Sequence, residues 1–408
     1  MKCRHCGHAL SLPFLDLGSA PPSNAYLAAA AVNVPETWYP LRVLACNQCW
    51  LVQTQDHAGR EALFTDDYAY YSSFSTSWLV HSQAYVETMR SRYGLSSRSL
   101  VAEVAANDGY LLQYVQAADI PCYGIEPTAG TAAAARAKGL HIVERFFGVE
   151  LAESLAREGR QVDLVAANNV LAHVPDINDF VGGFERLLKP QGVATFEFPH
   201  LLRMVQQTQF DTVYHEHYSY LSLTAVRTVL AAQGLKIFDV EHLPTHGGSL
   251  RVHAQRSSTG RHELGPRVAE ALAEEQAAGI APPAFHQDFQ ARAEKVKDDL
   301  VAFLIDAKRR GWRVGAYGAA AKGNTLLNFA GVRPDLLPYV VDRNPAKQGR
   351  FMPGSRIPIV AESHLQADRP DCVLILPWNL RDEVTAQLGY VRGWGGRFIT
   401  AVPQLAVS

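Results

Sequence analysis

The chain has 408 residues, 48% hydrophobic and 19% charged, and its 38 Lys and Arg against 40 Asp and Glu leave a formal charge of −2. At about 150 residues per domain this length holds two or three packed units, and the composition excludes a largely disordered chain. The charge balance offers no global field for a nucleic-acid partner, and no apolar run reaches the roughly 20 residues of a membrane span.

The start, Met1-Lys2-Cys3-Arg4-His5-Cys6, is polar where a secretory leader would place its apolar core, so a cytoplasmic protein is expected. In a reducing compartment the C-x-x-C pairs Cys3/Cys6 and Cys46/Cys49 point to zinc and not to disulfides. Zinc takes four ligands in a tetrahedron, and a closed set of thiolates leaves no position open for chemistry. A structural zinc is therefore expected, with reduced or redox-active thiols as the alternative. Cys122 and Cys372 stand alone in apolar stretches. The module is expected over 1–65, with a strand from Trp38 into the second hook. So small a unit buries little, and ligation would supply much of its folding free energy.

A polar, aromatic run over 66–73 reads as a loop before a helix over 75–92. From residue 99 strands and helices alternate. Strands are expected at 100–105, 122–126, 162–167 and 193–198, and helices at 110–115 and 129–138. That alternation specifies an α/β, doubly wound and largely parallel sheet, with ligands beyond the carboxyl ends of the strands. The central domain is placed at 66–255, a helical linker at 256–300, and a second α/β unit at 301–408. Strands of the last unit are expected at 312–318, 337–342 and 371–376. No sequence repeat relates the two α/β units.

The turn from Glu103 to Gly109 follows the first central strand but lacks the G-x-G-x-x-G of a pyrophosphate cradle. Asn107, Asp108 and Gly109 suit the amino-acid part or ribose of S-adenosylmethionine, which needs no such cradle. Glu126, closing the second strand, is placed to accept from ribose hydroxyls, and Asn168 to border the adenine or methionine. A solvent-facing acid and an ordinary turn are the plainer readings.

Taken together, the motifs resemble the sugar C-methyltransferases that act on nucleotide-linked 4-keto sugars in deoxysugar pathways. The resemblance spans nearly the whole chain. It is carried by Cys46-Asn47-Gln48-Cys49-Trp50-Leu51-Val52-Gln53, by Asn107-Asp108-Gly109 and by Tyr214-His215-Glu216-His217-Tyr218-Ser219-Tyr220-Leu221-Ser222. His246-Gly247-Gly248-Ser249-Leu250-Arg251, Gly318-Ala319-Ala320-Ala321-Lys322-Gly323-Asn324 and the stretch from Val341 to Gly349 extend it. It implies a central Rossmann-like class I methyltransferase domain between the four-cysteine zinc module and a second Rossmann-like domain that binds the nucleotide sugar. The implied reaction moves a methyl from S-adenosylmethionine to C3 of a 4-keto-deoxysugar linked to thymidine diphosphate. Similar proteins usually carry Gly-Ser or Gly-Cys where this chain has Ala105-Ala106, and two methyl groups there are expected to narrow the cofactor's approach. An NAD-dependent sugar oxidoreductase and a binding protein without turnover are the alternatives.

The densest chemical signal is Tyr214-His215-Glu216-His217. His215 and His217 lack the i, i+4 spacing of a shared helix face, and H-E-x-x-H is absent, which argues against a catalytic metal. The resemblance assigns His217 as the base that removes the C3 proton. Tyr214 and His173 would stabilise oxygen charge or relay protons, and Glu216 would orient sugar or a neighbour. Tyr68 would lie near the reaction centre. His200, at a strand end, either lines the site or is structural. Lys322 and Asn324 are expected at the nucleotide handle, with Arg343 and Lys347 assisting. His246, Ser249 and Arg251 would bring sugar and phosphate toward the methyl donor. Solvated basic side chains and a structural glycine turn are the plainer readings of these two patches.

Overall fold

The computed structural model describes residues 1–57, 71–281, 285 and 287–408. Strands β1 (Leu12–Ala20), β2 (Tyr39–Ala45) and β3 (Val52–Thr54) form an antiparallel sheet whose fourth member, β9 (Ser219–Tyr220), comes from far along the chain. That pairing puts the segment following His217 on the edge of the metal module.

The central sheet holds β4 (Val101–Val104), β5 (Cys122–Ile125), β6 (Ile142–Val143), β7 (Val162–Asn168), β8 (Leu188–Pro199), β10 (Leu235–Leu243) and β11 (Ser249–Arg256). Their order is β6-β5-β4-β7-β8-β11-β10, parallel except that β11 runs against both neighbours. Strand β4, Val-Ala-Glu-Val, is buried on both faces, as a parallel strand covered by helices must be. The helix Ile177–Leu187 shows how the cover forms: Asp176 caps it by accepting from the Asp179 N–H, and Phe180, Val181, Phe184 and Leu187 fall on its buried side. The chain runs outward from β4 through β5 to β6 and then crosses back to β7 on the other side of β4, which opens a crevice beyond the carboxyl end of β4.

The last unit orders β14 (Ile359–Val360), β13 (Val340–Val341), β12 (Val314–Tyr317), β15 (Cys372–Ile375), β16 (Arg397–Thr400) and β17 (Ala406–Val407) into a sheet, parallel up to the antiparallel β17. Here the strands are shorter than the apolar runs suggested, because β13 and β14 pair over only two residues each.

Among the described residues the metal module has no core of its own. Cys3, Cys46, Cys49 and Leu51 belong to the apolar cluster of the central domain, while Phe14, Leu15 and Leu17 pack with the helix Phe289–Arg309 and the last sheet. The stretch 256–300 does more than join. Helix Pro266–Ala277 places Val268 and Ala271 in the central core, and Phe289 stacks on Phe14 at 4.9 Å. No helix among the described residues is long and apolar enough to cross a membrane.

Candidate active site

Four sulfurs, of Cys3, Cys6, Cys46 and Cys49, lie within 4.8 Å of one another, with Cys3–Cys49 at 3.5 Å and Cys6–Cys46 at 3.6 Å. Bonds of about 2.3 Å in a tetrahedron separate sulfurs by about 3.8 Å, so this set fits zinc. The two hooks turn alike: Gly7 N–H donates to the Cys3 carbonyl and Trp50 N–H to the Cys46 carbonyl, both at 2.9 Å. Gly7 and Trp50 then take φ of 73° and 61°. Glycine does so freely, whereas the left-handed turn costs Trp50 about 1–2 kcal/mol.

A cavity opens beyond the carboxyl ends of β4, β5 and β7. Val104, Ala105, Ile125 and Phe147 give it apolar walls, and Asn107, Glu126, Thr128, Asn168 and Asn169 its polar groups. The Glu126 carboxylate accepts the backbone N–H groups of Asn107 and Thr128, each at 2.9 Å. Burial pushes its pKa upward against those bonds. Asn168 and Asn169 each present a buried carbonyl oxygen without a protein partner among the described residues. An adenosyl ligand brings donors (ribose hydroxyls and amines) to a site rich in acceptors, so the residues fit S-adenosylmethionine.

Three residues expected at this cavity stand elsewhere. Glu103 points into the sheet's interior, fully buried, and burial holds its carboxyl well above the usual range. Asp108 lies 3.6 Å from the Lys138 ammonium, off the cavity wall. Gly109 is a packing glycine: at φ 76° a Cβ would meet Leu140 at 2.3 Å. The two alanines also part company. Ala105 lines the cavity with φ 59°, but the Ala106 methyl turns into the core against Gly124. One methyl, not two, meets the ligand space.

Next to this cavity lies the histidine group. His217 Nδ1 is 2.8 Å from the Thr212 carbonyl, which can only accept, so Nδ1 carries the hydrogen. Nε2 is then the basic atom, and the Tyr214 hydroxyl donates to it at 2.7 Å. The His173 ring meets that of His217 edge-on, centroids 4.5 Å apart. Burial lowers His217 well below an ordinary histidine and His173 to about 4, so both rings are neutral. Glu216 faces away from the pair: Asn24 Nδ2 donates to its two carboxylate oxygens at 2.9 and 2.7 Å, and a backbone hydrogen bond joins Glu216 to His173. His215 also turns away, reaching the Tyr39 carbonyl at 3.3 Å. Tyr68 lies outside the described residues.

His246 closes the group. Its Nε2 is 3.0 Å from Asn169 Nδ2, its ring lies 5.3 Å from Trp78, and burial lowers it to about 4. Lys322 comes to the same place from the last domain. Its ammonium donates to Asn379 Oδ1 at 2.9 Å and sits 4.9 Å from the Trp378 ring, whose N–H donates to Asp211 at 2.7 Å. Burial lowers Lys322 and raises Asp211 to about 6, each opposed by the other's charge. The Lys322 charge adds to the burial that keeps His217 and His246 neutral. Lys322 thus faces the histidines and not an outer nucleotide edge.

The remaining expected substrate groups divide. Asn324 is fully buried, with neither amide atom partnered within the described residues. Lys347 donates to the Ala319 carbonyl at 2.8 Å, over the Tyr26 ring, and Tyr26 donates to the same carbonyl at 2.6 Å. Four expected ligands serve structure instead. His200 forms a buried 2.7 Å pair with Glu275, which also accepts from the first N–H groups of the helix Leu223–Ala232. Ser249 donates to the Thr245 carbonyl at 2.9 Å, and Arg251 is locked between Glu197 (2.8 Å) and Glu241 (3.3 Å). Arg343 is solvent-exposed and 3.1 Å from Gln387. Sequence reasoning missed Trp78, Asn169, Asp211 and Trp378. Only Asn169 left a signal, as the second half of a polar pair ending an apolar strand.

Known proteins align with these parts. Models described as a putative zinc binding domain, a methyltransferase domain and a C-methyltransferase C-terminal domain match residues 3–64, 84–240 and 244–403. Among solved structures, magnesium protoporphyrin IX methyltransferase from Synechocystis PCC 6803 with bound SAM overlaps 50% of this chain and 100% of its own, at 15% identity and a TM-score of 0.36. An S-adenosylmethionine-dependent methyltransferase from Clostridium acetobutylicum ATCC 824 overlaps 43% and 90%, at 11% identity and a TM-score of 0.35. The C-methyltransferase NovU of Streptomyces niveus is 33% identical over 403 residues, 99% of this chain and 96% of that protein. Aligned with it from end to end, the chain belongs to the C-methyltransferase family.

Proposed function

We propose that this enzyme methylates C3 of a 4-keto-deoxysugar carried on a nucleotide diphosphate, thymidine diphosphate by family resemblance, through an enolate. Carbon becomes a nucleophile only after losing a proton, and a ketone at C4 makes the C3 proton the removable one. The observation that carries the reading is a neutral His217 whose Nε2 is held as an acceptor beside the donor cavity.

Nε2 takes the C3 proton, and the C–H electron pair becomes the C3–C4 double bond with charge on the C4 oxygen. With substrate bound, the Tyr214 hydroxyl turns from Nε2 to donate its hydrogen toward that oxygen, which frees the Nε2 lone pair for the C3 proton, while Lys322 supplies positive charge nearby. Proton transfer to a positioned base contributes about 10²–10⁴-fold. His173 lines the donor cavity with its ring edge-on to His217, placed to relay protons or stabilise oxygen charge. Glu126, Asn168 and Asn169 hold the donor, and Trp78 borders it. Bound there, S-adenosylmethionine supplies a methyl on positively charged sulfur, already a good leaving group, so no metal is needed for transfer. The rest of the protein's work is alignment, with remote binding of the nucleotide fixing a small sugar.

His217→Asn tests the assignment. It keeps a polar side chain, so substrate affinity should persist while turnover falls by about 10²–10⁴-fold. Near-normal methyl transfer removes His217 from the base role and brings Tyr214 or His173 forward.

A further inference from the structure

The first metal hook has a second face. Between its cysteines, Arg4 is almost entirely covered, its side chain 6% exposed. Its guanidinium donates to the Thr54 carbonyl at 2.8 Å and to the Pro175 carbonyl at 3.4 Å, and it lies 5.1 Å from the Tyr218 ring. Its backbone N–H donates to Gln53 Oε1 at 2.9 Å, and Gln53 Nε2 returns to Cys3 Sγ at 3.2 Å. Thr54 reaches the catalytic loop directly. Its hydroxyl donates to the His217 carbonyl at 3.0 Å and its N–H to the Tyr218 carbonyl at 3.2 Å. From the other side, Tyr218 N–H donates to the Ala172 carbonyl at 2.8 Å. Ala172 and Pro175 bracket His173. His5 completes the dock, paired with Asn178 at 2.7 Å.

We propose that Arg4 and Thr54 are positioning residues that clamp the backbone of His217 and Tyr218 between the metal module and the His173 turn. Neither touches the reacting atoms; both act through His217, so the proposal rests on His217 as base. The physical reason is the placement of the ring. Its Nδ1 anchor to Thr212 fixes rotation, but the height of Nε2 over the sugar follows the backbone, which no helix or long strand holds. The hydrogen bonds from the module replace that missing regular structure. A misplacement of about 1 Å at a reacting group costs on the order of 100-fold.

The test uses the full-length protein with Arg4→Gln and Thr54→Val, each also combined with His217→Asn. Zinc content should stay at about one per chain. Affinity for S-adenosylmethionine and KM for the nucleotide sugar should move less than about threefold, while kcat falls about tenfold or more. In the His217→Asn background the same changes should alter the residual kcat less than about twofold, because the group they position is gone. Thr54→Val keeps the side-chain volume and removes one donor, so it decides alone if Arg4→Gln does not fold. A normal kcat in either folded variant overturns the clamp. So does an equal loss in the His217→Asn background, or loss of zinc in proportion to kcat. Normal turnover by His217→Asn alone marks failure of the base assignment instead, and the clamp falls with it.

Discussion

Replacing Ala105 by glycine should stabilise the protein and tighten its cofactor site. Ala105 holds φ 59°, a conformation costing an L-residue about 1–2 kcal/mol, and its methyl lines the cavity. Glycine removes that cost but adds about 0.5–1 kcal/mol of unfolded-chain entropy, leaving a net gain of about 0–1.5 kcal/mol. The neighbouring change has the opposite sign. The Ala106 methyl is fully buried against Gly124, so Ala106→Gly loses about 0.8 kcal/mol of transfer free energy and again about 0.5–1 kcal/mol of entropy. Urea titrations of both variants measure the signs, and titration calorimetry measures S-adenosylmethionine affinity, expected to rise roughly two- to tenfold for Ala105→Gly. Destabilisation by both changes, or weaker binding by Ala105→Gly, refutes the placement of the two methyl groups.

Tyr214→Phe removes the donor aimed at His217 Nε2 and the developing oxygen charge, so kcat should fall by about 10²-fold or more while cofactor affinity holds; steady-state kinetics with calorimetry would expose an unaffected kcat. Elemental analysis should find about one zinc per chain, and Cys46→Ser should lower the unfolding temperature more than it alters cofactor affinity. Two signs oppose in the pH dependence of stability. His173 and His246 fall from an ordinary 6.5 to about 4, so their contribution is present above about 6.5 and lost as pH drops toward 4. Asp211, raised to about 6, contributes below its ordinary 3.8 and loses that as pH rises through 6, and the raised carboxyls of Glu103 and Glu126 act the same way. The depressed rings of His173, His246 and His217 and the depressed carboxyls of Glu197, Asp239, Glu241 and Glu275 outnumber them, so melting temperatures should fall on acidification. His217 is depressed as well, so the acid limb of kcat should begin below pH 6.5; a limb above pH 7 contradicts a neutral resting base.

Much of this was legible in the residues because some signals are local. Metal hooks need only spacing, and apolar runs of four to six residues between Gly, Asn and Asp announce buried strands. The observed β5 and β7 begin at Cys122 and Val162, where the runs begin. Direction was not legible. Glu103 lies inside β4 and Glu126 one residue past the end of β5, so the first is enclosed in the packed interior while the second reaches the crevice, which belongs to the topology. His200 has the setting of a ligand at a strand end, but the chain brings Glu275 to it from 75 residues away. Lys322 reads as part of a glycine-bearing loop suited to phosphate, but it stands in the first turn of the helix Ala321–Phe329, and only the docking of two domains turns its ammonium toward the histidines. The dependence of the metal module on its neighbours for a core was equally hidden, since β9 joins it from beyond residue 200.

Carbon methylation is the central claim, and the position of the transferred methyl tests it most directly. The enzyme should be given a ¹³C-methyl-labelled donor and a nucleotide-linked 4-keto-deoxysugar, and the product resolved by NMR. The labelled methyl should correlate with C3 as a quaternary carbon that has lost its hydrogen, and that product should form about 10²–10⁴-fold more slowly with His217→Asn. A label on an oxygen or nitrogen, with the C3 hydrogen still present, contradicts the account.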